Sequence, residues 1–186
     1  MDQLKALVLS SNSLTELPYM EDKPHLNSLI VSHNNLSALP DSISSLSSLT
    51  KLSCAHNSLT AEGLPDLSNL SELREVRMNG NAQLSSLPSH FSTWGASKLE
   101  ILDLSKCNFS SWDSLEALEG QEELSNVNLR GNPLCPDAAE ATEQYAEYKD
   151  LVRCGPARCQ VPRLMRRLWT GYSALAQITH IRQPTL

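Results

Sequence analysis

Few side chains in this 186-residue chain have the type and spacing to do chemistry. His33 and His56 each stand one residue before an asparagine, in "SHN" and "AHN". Matching positions in a repeated unit would bring their rings within a strand spacing of ~5 Å, a geometry for a metal pair or a pH switch. No third ligand follows from the same spacing, so exposed neighbours without a function are the plainer reading. The five cysteines, Cys54, Cys107, Cys135, Cys154 and Cys159, are odd in number and form no C-x-x-C pair. That pattern fits reduced thiols rather than a disulfide framework or a zinc site. Cys54 takes an apolar slot and Cys107 an asparagine slot of the repeat described below, so both read as buried and inert. There is no G-x-S-x-G, no glycine-rich phosphate loop and no H-E-x-x-H. The chain is therefore read as non-enzymatic, with no cofactor, no metal and no small-molecule substrate.

The elements that would carry these residues follow from the leucines. The stretch "LNSLIVSHNNLSALPDSISSLSS" switches between gaps of two and gaps of three or four, so neither a helix nor a strand accounts for all of it. Aligned on L-x-x-L-x-L-x-x-N-x-L, it is one of six copies in register. The copies begin at Leu4, Leu26, Leu49, Leu73, Leu99 and Leu124, giving lengths of 22, 23, 24, 26 and 25 residues between them. In the fourth copy the leucine after the asparagine, Leu84, arrives one residue late. Each L-x-L predicts a short strand with its apolar side chains turned inward. Each asparagine predicts a buried amide that pairs with backbone opened by the following bend.

This pattern resembles the leucine-rich repeat over roughly residues 2–135, and the Leu17-Pro18, Leu39-Pro40 and Leu87-Pro88 pairs are similar to its intracellular subclass. The resemblance implies an α/β solenoid of about six coils over residues 1–135, with a parallel concave sheet and an irregular or short-helical convex side. Trp112, Leu115 and Leu118 predict a convex helix in the fifth copy, capped by Ser111 or Asp113. "NPLCPDAAEATEQYAEYKDLV" is similar to the capping helix of small intracellular members and assigns residues 136–152 to it, without the closing strand of that motif. Met1 falls inside the first coil, and two readings stay open: a fragment or alternative product, or a tolerated ragged first coil.

Charge divides the chain. Residues 1–152 carry 9 Lys+Arg against 21 Asp+Glu, a net −12, while residues 153–186 carry six arginines and no acid, a net +6. This basic tail reads as disordered or as a short amphipathic helix, and attachment to a membrane or nucleic acid would run through it. The resemblance places binding on the concave face. The strand positions turned outward are Ala6 and Val8, Ser28 and Ile30, Lys51 and Ser53, Glu75 and Arg77, Ile101 and Asp103, and Asn126 and Asn128, with Arg130 just beyond. Val8, Ile30 and Ile101 would make apolar contacts, while Lys51, Ser53, Glu75, Arg77, Asp103, Asn128 and Arg130 would set orientation. The expectation is an intracellular adaptor or regulatory subunit, cytoplasmic or nuclear, that binds another protein; no signal-peptide pattern opens the sequence. The competing readings are attachment through residues 153–186 and a truncated product with no autonomous function.

Overall fold

The computed structural model describes residues 3–134 apart from Asp22, Trp112 and Glu122. The expected capping helix, the basic tail, Cys135, Cys154, Cys159 and the Trp112 side chain lie outside the described residues. Each copy of the repeat forms one coil, and each coil contributes one three-residue strand. These are β1 (Ala6–Val8), β2 (Ser28–Ile30), β3 (Lys51–Ser53), β4 (Glu75–Arg77), β5 (Ile101–Asp103) and β6 (Asn126–Asn128). They pair in sequence order as one parallel six-stranded sheet. Register is strict: Leu7, Leu29, Leu52, Val76, Leu102 and Val127 align across all six strands. This row points into the solenoid, and the residues on either side of it point outward, as period-two alternation requires.

The leucine positions stack into continuous layers from coil to coil. Leu26, Leu29, Val31 and Leu36 of the second coil are wholly buried, as are Leu49, Leu52, Cys54 and Leu59 of the third. The convex side closes the coils with Leu39, Ile43 and Leu46, then Leu64, Leu67 and Leu70, then Leu87, Phe91 and Trp94. Pro40 and Pro88 each precede a 3-10 helix, Asp41–Ser45 and Ser89–Ser97. The third coil makes the same descent with Leu64 and Pro65, a pair equivalent to the three singled out in the sequence. The convex helix of the fifth coil is present as a 3-10 helix over Asp113–Gly120, which buries Leu115 and Leu118. At its start the Ser114 hydroxyl donates to the Ser111 carbonyl, 2.6 Å.

The asparagine ladder holds the coils together after the strands. Asn57 is typical. Its Nδ2 donates to the Val31, Cys54 and Ala55 carbonyls at 3.1–3.2 Å, and its Oδ1 accepts the Leu36 N–H at 3.0 Å. Asn34, Asn81 and Asn132 repeat this arrangement against the preceding coil. The residue before the ladder position adopts a left-handed backbone in every coil: Ser11, His33, His56, Gly80, Lys106 and Gly131 have φ between 53° and 75°. One turn geometry thus recurs six times, twice with glycine, where it costs no Cβ clash.

Candidate functional site: the concave face

Parallel pairing sets the outward side chains in rows about 4.8 Å apart. One row runs Ala6, Ser28, Lys51, Glu75, Ile101, Asn126, and the other runs Val8, Ile30, Ser53, Arg77, Asp103, Asn128. Ser10, Ser32, Ala55, Asn79, Ser105 and Arg130 extend the second row by one step in each coil. Sequence periodicity therefore placed every outward strand position on the sheet face that carries it.

The face is uneven. Val8 at one end is 62% exposed and Ile101 towards the other is 36% exposed, with Ile30 half-buried. Between them the charged side chains are already engaged with one another. Glu75 accepts Lys51 Nζ at 3.0 Å from the neighbouring strand and Arg77 Nε at 2.6 Å from its own. Partial burial pushes the Glu75 carboxyl upward, but the Lys51 hydrogen bond and the Arg77 and Lys51 charges outweigh this and hold it below the ordinary glutamate range. The trio carries a net single positive charge. Asp103 turns to its own strand end, accepting the Ser105 N–H at 2.9 Å and the Ser105 hydroxyl at 2.7 Å. Asn128 does the same for the Arg130 N–H, 3.2 Å.

Ser53 departs from the sequence reading. It is 7% exposed, and its hydroxyl shares a 2.9 Å hydrogen bond with the buried Ser32 hydroxyl. A small side chain between larger neighbours is covered even on the outward face, so Ser53 supports the surface rather than forming it. Ala55 is buried in the same region.

His33 and His56 border this face and are brought together as the repeat spacing implies, with ring centroids 4.4 Å apart and planes 12° from parallel. The stack continues onto the next coil. A Cβ at Gly80 would come within 2.5 Å of His56 Nδ1, so a larger residue there would displace the ring from this position. Asn79 lies 3.4 Å from His56 Nε2. Rings stacked face to face direct their nitrogens sideways rather than at a common point, and the described residues contain no group of three or more potential metal ligands. Cys54 and Cys107 are buried thiols. Burial, then the neighbouring Cys107 sulfur, pushes Cys54 up to about 12, and burial pushes Cys107 up to about 11. Neither is a nucleophile at neutral pH.

The sequence reading missed Tyr19, an aromatic 70% exposed away from the sheet, whose hydroxyl donates to Glu21. Its neighbour Met20 is buried, and nothing in local composition signals which of the two turns outward.

Six strands in parallel, an asparagine ladder and coils closed by short 3-10 turns define a leucine-rich repeat solenoid. Comparison with known proteins agrees: residues 25–46, 48–70 and 98–119 match the family model Leucine Rich Repeat. These segments carry leucine-rich repeats. Among solved structures it is similar to an internalin (inlF) from Listeria monocytogenes, at 20% identity and a TM-score of 0.46, over 69% of this chain and 42% of that one. No curated protein matches it.

Proposed function

We propose that the chain is a protein-binding adaptor or regulatory subunit that engages its partner through the concave sheet. The observation that carries this reading is the outward surface itself. Two exposed apolar side chains, Val8 and Ile101, flank the Lys51–Glu75–Arg77 cluster on a face built from rigid, register-locked strands. Apolar anchors beside oriented charge suit a protein surface better than a small molecule, since apolar contact drives association and charge selects the partner. Ile30, Asp103, Asn128 and Arg130 complete the contact surface, while Ser53 acts from below it. Because Glu75 is already paired, the charges available to a partner are the outer edges of Lys51 and Arg77, which favours an acidic patch opposite them. Among the described residues no helix is long and apolar enough to cross a membrane; an intracellular site of action, cytoplasmic or nuclear, remains part of the proposal.

The test is capture of partners from cell extract by wild type, by Val8→Asp/Ile101→Asp and by a chain ending at Lys149. Loss of a specific protein with the double variant, and its retention by the shortened chain, is the expected result. The opposite pattern would transfer the function to residues 153–186, whose six arginines without an acid suit a membrane surface or nucleic acid. Repeating the capture at high salt would then show the steep weakening typical of polyanion binding.

A further inference from the structure

The outward rows sink between the second and fourth coils. Ile30, Ser32, Ser53 and Ala55 form a floor there, two residues from each of two neighbouring coils. Ser32, Ser53 and Ala55 are each less than a tenth exposed, although they face out of the sheet. Longer side chains stand around them. Lys51 lies on one side, Arg77 and Asn79 on the next coil, and the stacked His33 and His56 rings along the loop edge. Asn79 Nδ2, 3.4 Å from His56 Nε2, joins two of these walls. Strand geometry makes the floor about 4.8 Å across the strands and about 7 Å along them, the footprint of one side chain.

The hydrogen bonding of this floor is incomplete. The Ser32 and Ser53 hydroxyls share one 2.9 Å hydrogen bond, which crosses the floor diagonally. Two hydroxyls carry two O–H donors, and that bond spends one of them. Neither hydroxyl makes another hydrogen bond among the described residues. One O–H thus stays unspent on a side chain more than nine-tenths buried, where an unmatched donor is costly. The rim adds donors of its own. Lys51 Nζ and Arg77 Nε both donate to the same Glu75 oxygen, Oε1. A guanidinium has five N–H donors and an ammonium three, so most of theirs remain for another acceptor. Glu75 is the sole acid among the outward positions of the second to fourth coils, and two cations already hold it.

We infer that this depression anchors one aspartate or glutamate side chain of the protein partner. Its carboxylate accepts the unspent serine O–H together with N–H groups of Arg77 and Lys51. A carboxylate is all acceptor, with about four sites on its two oxygens, and it meets a rim of net positive charge. An amide would set its own donors against the same donors. A lysine or arginine tip would meet like charge, and an aromatic ring overfills the floor. The inference rests on the concave-face reading and adds to it which partner side chain is read, and by which residues.

Short random peptides, displayed through their C-termini so that only side chains offer carboxylates, are selected on the full chain. A fixed aspartate or glutamate should emerge at one position. Replacing it by asparagine or glutamine should weaken the peptide about tenfold in fluorescence polarisation, the scale of a lost charge-assisted contact. Ser32→Ala/Ser53→Ala should weaken the acidic peptide severalfold and leave the amide form unchanged, a coupling that a merely structural effect does not produce. Selection of no peptide, or of peptides without a fixed acid, overturns the inference. So does an equal loss of both forms with the serine variant. An acid-dependent peptide indifferent to that variant overturns it too, and points instead to the six arginines of residues 153–186. Val8→Asp/Ile101→Asp separates the two readings. Peptides lost with it but carrying no fixed acid remove the anchor and leave the concave face standing, whereas peptides indifferent to it remove both.

Discussion

At the scale of single residues, the positions with reactive side chains are used for packing. Cys54 occupies a leucine slot, and Cys107 donates its thiol to the Met78 carbonyl at 3.4 Å in place of an asparagine. With both thiols raised well above neutral pH, iodoacetamide at pH 7.5 should leave them unmodified in the folded chain and label them only in denaturant; peptide mass mapping reads this directly. Glu75 behaves oppositely. Its folded carboxyl sits below its unfolded value, so its stabilising contribution is present above the unfolded value and is lost as pH falls through the folded one. Glu75→Gln should therefore be less stable than wild type at pH 7, and the gap should close as chemical denaturation is repeated at progressively lower acid pH. Gly80 combines a left-handed backbone, φ 75°, with contact against the His56 ring. Gly80→Ala should cost at least about 1–2 kcal/mol from the backbone alone, and His56→Ala in the same chain should recover only the part due to ring contact. The histidine stack was legible from repeat spacing. The glycine beneath it was not, because its need arises from a ring two dozen residues away.

At the scale of the coil, the leucine spacing revealed every strand, since inward and outward positions are fixed once one residue of the repeat is placed. Irregular coils were less legible. Leu84 is late and Cys107 lacks an acceptor, two anomalies with one physical cause. In the other coils the N–H at this point donates to the next ladder asparagine; here Leu84 N–H turns back to the Asn81 carbonyl at 3.0 Å, so no acceptor is needed from position 107. The longest coil also contains a kink at Trp94, Gly95 and Ala96. Gln121, wholly buried on the next coil, spans it by donating Nε2 to the Phe91 carbonyl at 2.8 Å and the Trp94 carbonyl at 3.0 Å. A glutamine just past a 3-10 helix carries no sequence signal for this role. Gln121→Leu leaves two buried carbonyls unmatched and should lower stability by about 2 kcal/mol or more, seen as a lower urea midpoint.

At the scale of the molecule, each coil contacts only its neighbours, so stability accumulates along the solenoid. Continuous leucine layers through the interior coils favour a single cooperative transition. Urea unfolding followed by far-UV circular dichroism and by tryptophan fluorescence should give coincident curves; separate transitions would support the reading of a truncated product that lacks autonomous stability. The outward face was legible as a set of positions but not as a surface. Depth decides which small side chains are covered, as at Ser53, and ion pairing decides which charges remain available, as at Glu75. The central claim is that the concave sheet is where a protein partner sits. It is tested most directly by site-specific photocrosslinking in cells, with the reactive group placed at Ile101 on the concave face or at the exposed Glu62 away from the sheet. The account predicts one discrete crosslinked protein from position 101 and none from position 62. The same product from position 62 alone, with position 101 silent, would contradict it.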